Sequence, residues 1–172
     1  SAIGNVINNN NTVRTGLHRF NDGLFSDGSG QSVFELSSTT DKAAILNELY
    51  CQTGTSCAEQ NGTPARRAMT ELGEYFKGNS SPILDSTSGG KCQQNFNITF
   101  TDGFWNGSLT DAQRAIIGND DGDNDTLFDG GDYADGQAET LADIAMYYYE
   151  NDLKPGLDDE VPIIEGVDEA DH

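Results

Sequence analysis

Six aspartates crowd thirteen residues in the run Asp120-Asp121-Gly122-Asp123-Asn124-Asp125-Thr126-Leu127-Phe128-Asp129-Gly130-Gly131-Asp132. Any fold that orders this stretch must deal with their repulsion. Two carboxylates about 5 Å apart repel by about 1 kcal/mol in water and about 3 kcal/mol near a protein surface. Several such pairs in one ordered loop would consume the stability of a small domain, which totals only about 5–15 kcal/mol. Either a cation neutralises the run, or the loop stays open and solvated. With Asp121 as position 1, carboxylates fall at positions 1, 3, 5, 9 and 12, which are Asp121, Asp123, Asp125, Asp129 and Asp132. Leu127, at position 7, offers its backbone carbonyl. Calcium takes six to eight hard oxygen ligands, and this spacing curls them around one centre. Thr126 stands where the standard loop has glycine, and Asp132 where it has glutamate, so the expected geometry is altered and flanking EF-hand helices are not implied.

The rest of the composition narrows the partners. Asp and Glu number 29 against 9 Lys and Arg, a formal net charge of -20 over 172 residues. Nucleic acid needs the opposite sign to displace counterions, and an anionic membrane surface repels such a chain. Divalent cations and basic partners remain. Apolar residues at 35%, with 20 glycines, suffice for one domain with a core. No apolar run approaches the ~20 residues of a spanning helix. Cys51 and Cys57 are spaced to close a small disulfide loop, which suits an oxidising compartment. Three reduced thiols in a cytosolic protein is the alternative. Cys92 is left odd, free or paired outside the sequence. The histidines His18 and His172 stand alone, so zinc lacks ligands. The chain opens at Ser1 without methionine, as expected of a processed or excised piece.

Residues 2–9 read as a helix end, 12–20 and 31–36 as strands. Thr40 and Asp41 are placed to cap a helix through Tyr50 that buries Ile45, Leu46 and Leu49. The clearest helix has Thr63 at its cap, Pro64 at its first position and Gly78 past its end, with Ala65, Ala68, Leu72, Tyr75 and Phe76 on one stripe. Phe96, Ile98 and Phe100 alternate through a predicted strand over 95–100. A last helix covers 137–151, burying Leu141, Ile144, Ala145 and Tyr148. The acidic tail over 155–172 is expected to be loosely held. Strands alternating with helices point to a parallel or mixed α/β sheet. At the carboxyl end of such a sheet, Asp102 and Thr63 could meet to bind Mg²⁺. On spacing alone the simpler reading prevails, with Thr63 as an N-cap and Asp102 as a turn former.

Further residues resemble a known family. The orders Gly62-Thr63-Pro64-Ala65-Arg66 and Cys92-Gln93-Gln94-Asn95-Phe96-Asn97-Ile98-Thr99-Phe100-Thr101-Asp102-Gly103-Phe104-Trp105-Asn106-Gly107 come first. Tyr133-Ala134-Asp135-Gly136, Thr140-Leu141-Ala142-Asp143-Ile144-Ala145-Met146-Tyr147-Tyr148-Tyr149 and Asn151-Asp152-Leu153 follow. Together they are similar to the von Willebrand factor A-like region of PilY/PilC-type type IV pilus tip proteins, in register from about residue 61 to 162. The resemblance implies a Rossmann-like A-type domain over 1–154, with the Asp-rich calcium loop inserted at 120–135 and a linker or tail over 155–172. It also implies secretion to the cell surface by way of the periplasm and a role in adhesion, surface sensing or pilus assembly. Thr63 and Asp102 match the threonine and aspartate that A-type domains place beside a divalent metal. The Asp-x-Ser-x-Ser element that supplies the other ligands does not occur, and the last strands are missing. The expected domain is therefore incomplete at both ends, needing segments from elsewhere or from another chain.

The leading expectation is a calcium-stabilised adhesion or pilus-assembly module whose partners are pilus subunits or a surface ligand. The alternative is a structural calcium-binding component of an extracellular filament or matrix. Catalysis is not expected, because no nucleophile elbow, Cys/His pairing or phosphate-cradling loop occurs. Tyr147, Tyr148 and Tyr149 could stack on sugars, but at helical spacing core packing and interface suit them better.

Overall fold

The computed structural model describes residues 2–50, 62–79, 81–101, 103–124, 134–158 and 160–161. The chain divides into two compact units, Ser1–Gly62 and Thr63–His172.

In the first unit, α1 (Ala2–Asn9) packs against α2 (Thr39–Leu49) beside four two-residue strands: β1 (Arg14–Thr15), β2 (His18–Arg19), β3 (Gly23–Leu24) and β4 (Phe34–Glu35). β1 pairs antiparallel with β4, and β2 with β3. The single strand expected over 12–20 is thus two. At Gly16 an added Cβ would stand 3.1 Å from the Ser32 carbonyl oxygen, and there the chain changes partner. Phe34, Leu36 and Ile45 form the core, with Ile7, Leu17, Phe25, Ala44 and Leu46 around them.

Ser38 caps α2, two residues before Thr40 and three before Asp41, which were expected to act. Its hydroxyl accepts from the Asp41 N–H at 3.2 Å. Asp41 instead sits inside the first turn, where its carboxylate accepts from the Glu35 N–H and from Gln31 Nε2, each at 2.9 Å. Those donors, the Glu35 amide foremost, hold its carboxyl below the usual range. One cap therefore ties the helix to β4. Ser38→Ala is expected to lower the stability of this unit by about 1 kcal/mol in urea unfolding, and an unchanged midpoint would refute that assignment.

The second unit is helical among the described residues. α3 (Ala65–Lys77) packs on α5 (Leu141–Glu150), with the short α4 (Asp111–Arg114) alongside. Leu109, Ile117 and Ile144 are buried, and Met69, Ile116, Tyr147 and Tyr148 close around them. The buried face of α3 is made of small residues, Ala65, Ala68, Thr70 and Gly73. That is why α5 approaches so closely: the ring of Tyr148 lies over Gly73, and its hydroxyl reaches the Thr70 carbonyl at 3.2 Å and Glu74 at 3.0 Å.

Four expectations for this unit need correction. Thr63 does not cap α3; Pro64 occupies the cap position, with no side-chain bond. α5 starts at Leu141, behind a Thr140–Asp143 capping box, and not at residue 137. Residues 95–100 keep the alternation of Phe96, Ile98 and Phe100 but form no strand, because a strand needs a ladder partner and the described residues supply none. These side chains are 76%, 73% and 63% exposed. Finally, the acidic tail is held as far as Glu160: Lys91 pairs with Asp158 and Glu160, and the Glu160 N–H donates to the Lys91 carbonyl at 2.8 Å. The described strands are all antiparallel, so the expected parallel or mixed sheet is not among the described residues. Among the described residues Cys92 is free and exposed, whereas Cys51 and Cys57 lie outside them.

Candidate metal centre

α4 ends at Arg114, and buried Ile117 delivers the chain into Gly118-Asn119-Asp120-Asp121 against the N-terminus of α5. Asp120 folds back so that its carboxylate accepts from the Gly118 N–H at 2.7 Å. Asp121 points inward and is 3% exposed, while Asp143 in the first turn of α5 is fully buried. The Asp121 N–H donates to Asp143 Oδ1 at 3.3 Å, and Asp143 Oδ2 accepts from the Thr140 N–H at 2.7 Å. Asp121 Oδ1 accepts a long bond from the Asp135 N–H, at 3.4 Å. Its other oxygen, Oδ2, is buried without a hydrogen-bond partner among the described residues.

Two acids are thus held where charge is costly. Burial pushes the Asp121 carboxyl above its ordinary range; the Asp135 amide works against this, and the negative charges of Asp143 and Asp135 add to it. Burial likewise raises Asp120, with Asp123 and Asp143 adding to it against the Gly118 amide. Buried acids with a buried orphan oxygen are destabilising unless something positive meets them.

The backbone around them is closely fitted. An added Cβ at Gly122 would stand 2.9 Å from the Asn119 amide and 3.0 Å from the Asp135 carbonyl oxygen. The Asn119 amide lies over two carbonyls; with its nitrogen toward them it donates to Asp135 at 3.3 Å and Gln137 at 2.8 Å. Asn124 turns the chain through φ 64°.

Of the expected calcium ligands, Asp121 sits at the centre of this arrangement and Asp123 at its exposed rim. Asp125, Leu127, Asp129 and Asp132 lie outside the described residues. Among the described residues no three His, Cys, Asp or Glu side chains can hold a metal ion by themselves. The donor set fits calcium in kind, since every group offered is a hard oxygen. Asp120, Asp135 and Asp143 were missed as members. The Thr140-x-x-Asp143 spacing before an apolar run was the available signal for the last.

A second constellation surrounds Thr63. Its N–H donates to Asn106 Oδ1 at 3.0 Å, and its carbonyl accepts from the Asn106 N–H at 2.8 Å. The Arg66 guanidinium donates to the Gly107 carbonyl at 3.0 Å and to the Glu139 carbonyl at 2.8 Å, and stacks 4.0 Å from the Trp105 ring centroid. Asp102, the expected partner of Thr63, lies outside the described residues.

No family model matches the chain, and no solved structure matches it. Among curated proteins, it is 33% identical over 123 residues to the type IV pilus biogenesis factor PilY1 of Pseudomonas aeruginosa strain PAK, covering 63% of this chain and 10% of that protein. The PilY1 of strain PAO1 is 34% identical over 123 residues, with the same coverage. That of strain UCBPP-PA14 is 33% identical over 109 residues, covering 58% of this chain and 9% of that protein. The chain spans about a tenth of the length of the curated relatives it matches. The expected resemblance to PilY/PilC-type proteins is borne out.

Proposed function

We propose that this PilY1-like chain is a calcium-stabilised module of a type IV pilus-associated surface protein, serving adhesion or pilus assembly. The observation that carries the calcium reading is the buried Oδ2 of Asp121, without a hydrogen-bond partner among the described residues, beside buried Asp143. Asp121 and Asp123 would hold the ion with Asp125, Asp129, Asp132 and the Leu127 carbonyl. A bound ion supplies the positive charge these acids lack, and its work here is structural: it fixes the loop against α5. The pilus reading rests on the three PilY1 relatives, and the proposed partners are pilus subunits or a surface ligand. Among the described residues no helix is long and apolar enough to cross a membrane. The A-type architecture, with Thr63 and Asp102 as part of a Mg²⁺ site, stays a proposal supported by motif order.

Calorimetry with calcium chloride or chelator tests the calcium reading. A ligand that binds only the folded state at a hundred times its dissociation constant stabilises by about 2.7 kcal/mol, or about 10 °C for a unit of this size. Asp121→Asn should abolish the rise. The response also depends on pH. Asp120 and Asp121 titrate above the unfolded value of 3.8. Without metal, the folded state therefore holds more protons than the unfolded one between that value and the raised ones, and stability falls as pH climbs through this window. Calcium needs the deprotonated carboxylates, so its rise should be largest near neutrality and fade toward about pH 4. A melting curve indifferent to calcium and chelator at neutral pH removes the reading.

A further inference from the structure

We propose that the cavity between the turn at 25–28 and the last turns of α2 receives a lysine side chain of a partner protein, whose ammonium meets Glu48 and Asp27. The cavity lies wholly within the first unit, so the acidic turn of the second has no part in it.

Its volume is about 310 Å³, at the small end of the roughly 300–1,000 Å³ of ligand sites. One wall is apolar and fixed. The Phe25 N–H donates to the Leu17 carbonyl at 2.7 Å, and its ring stacks on buried Phe34 with centroids 5.5 Å apart. Ala44 continues this wall from α2, and both side chains pack against the core. The remaining wall is polar, with Asp27 from the turn and Asn47 and Glu48 from the helix. At Gly28, on the same rim, an added Cβ would meet nothing within 4 Å, so this edge is open to entry.

The ionised groups here are mostly of one sign. Glu48 is only 7% exposed, and its Oε1 lies 3.0 Å from Arg19 Nη1. That arginine is divided, because its Nε also faces Asp22 at 3.1 Å. Asp27 accepts from the Ser29 N–H, the Ser29 hydroxyl and the Gln31 N–H, all through Oδ1. These donors, the Ser29 hydroxyl foremost, hold its carboxyl below the usual range, so it is ionised. Lys42 of α2 is directed elsewhere, to the Asn8 carbonyl at 3.0 Å and Asn11 Oδ1 at 2.6 Å. The helix adds to the imbalance. Its C-terminal carbonyls carry partial negative charge, and no basic residue stands in its last turn. A carboxylate at that end is unfavourable until a cation joins it.

An anion is repelled by such a wall, and a neutral apolar group would take water from Glu48 and replace it with nothing. A bare metal ion is poorly served, since among the described residues no three His, Cys, Asp or Glu side chains can hold one. A primary ammonium suits both walls. It is a compact charge with three donors on a flexible four-carbon stem, and such stems lie along apolar surface while the head stays with polar groups. The stem would follow Phe25 and Ala44, with the head at Glu48, Asp27 and the Asn47 amide oxygen. A lysine-bearing surface is also what a chain of net charge -20 draws toward itself.

The test uses the full chain, isotopically labelled, titrated with N-acetyl-lysine N-methylamide while amide shifts are followed by NMR. Gly28, Ala44, Asn47 and Glu48 should shift saturably, with a Kd of about 1–10 mM for a ligand of this size. The norleucine analogue, which lacks the ammonium, should bind at least about tenfold more weakly. Glu48→Gln should weaken lysine binding at least about fivefold. Ala44→Leu fills the cavity with every charge left in place and should abolish binding; it serves if Glu48→Gln does not fold. Pentylammonium chloride carries the head and stem without a peptide backbone and should bind no more tightly than the lysine compound. Tighter binding there overturns the assignment to a protein partner. Equal binding of the norleucine analogue, parental affinity in either folded variant, or the absence of saturable shifts overturns the site.

Discussion

Replacing Asp143 by alanine should cost the second unit about 3 kcal/mol in chelator, a fall in its melting midpoint of about 10 °C. Asp143 is a fully buried side chain serving two backbone donors, Thr140 N–H and Asp121 N–H. Loss of the cap itself is worth about 1 kcal/mol, and each stranded buried donor adds about 1–3 kcal/mol. A compensating term works the other way, since the substitution also removes a negative charge beside Asp121. The asparagine variant separates the two effects. Asp143→Asn keeps one carbonyl oxygen for a donor and deletes the charge, so it should cost less than alanine without metal. With calcium the order of cost stays, but asparagine should lose part of the metal's stabilisation. Thermal unfolding followed by far-ultraviolet circular dichroism reads both. A cost below about 1 kcal/mol for alanine would mean that Asp143 does not organise the start of α5.

A valine at Gly73 should cost about 3 kcal/mol and weaken the near-ultraviolet signal of the tyrosines. In an isolated helix, removing glycine would stabilise by up to about 1 kcal/mol, so the sign of the effect decides whether packing or propensity governs here. Packing does. A Cβ at position 73 would stand 2.3 Å from Cε1 and Cζ of Tyr148. The ring cannot retreat cheaply, because its hydroxyl is engaged by the Thr70 carbonyl and by Glu74. That same burial, joined by the Glu74 carboxylate, drives the Tyr148 hydroxyl well above the ordinary phenol range, so it stays protonated and able to donate. Separation of α3 from α5 therefore costs contact area together with the one hydrogen bond the Tyr148 proton makes to the Thr70 carbonyl or the Glu74 carboxylate. Chemical denaturation of Gly73→Ala and Gly73→Val measures this, and a stabilised alanine variant would overturn the account.

What the sequence disclosed followed from local physics. The body of α3 was readable because Pro64 at its entrance and the apolar stripe behind it act within one turn of their own backbone. α2 was readable for the same reason, although Ser38 took the cap from residues next to it. α5 was readable as a helix, but its start was misplaced because the Thr140–Asp143 box went unused. Residues 95–100 misled because alternation reports which side chains share a face, not whether a neighbouring strand exists. The acidic turn was legible as a place where negative charge crowds, since repulsion depends on spacing alone. Its packing against Asp143, and the fork of Arg66 across Gly107 and Glu139, join residues tens of positions apart. No local pattern announces such bonds. The pilus resemblance was legible from motif order rather than from physics.

The uncharged run from Gln93 to Thr101 has a consequence for how the protein behaves in bulk. At net charge -20, copies keep their distance across most of their surface. This interval carries no ionised group and presents Phe96, Ile98 and Phe100 outward with their backbone unpaired among the described residues. Salt shortens the reach of the repulsion to about 10 Å at 0.1 M. High salt is therefore the condition in which this interval is most adhesive, and a stock at high salt is the one to keep dilute.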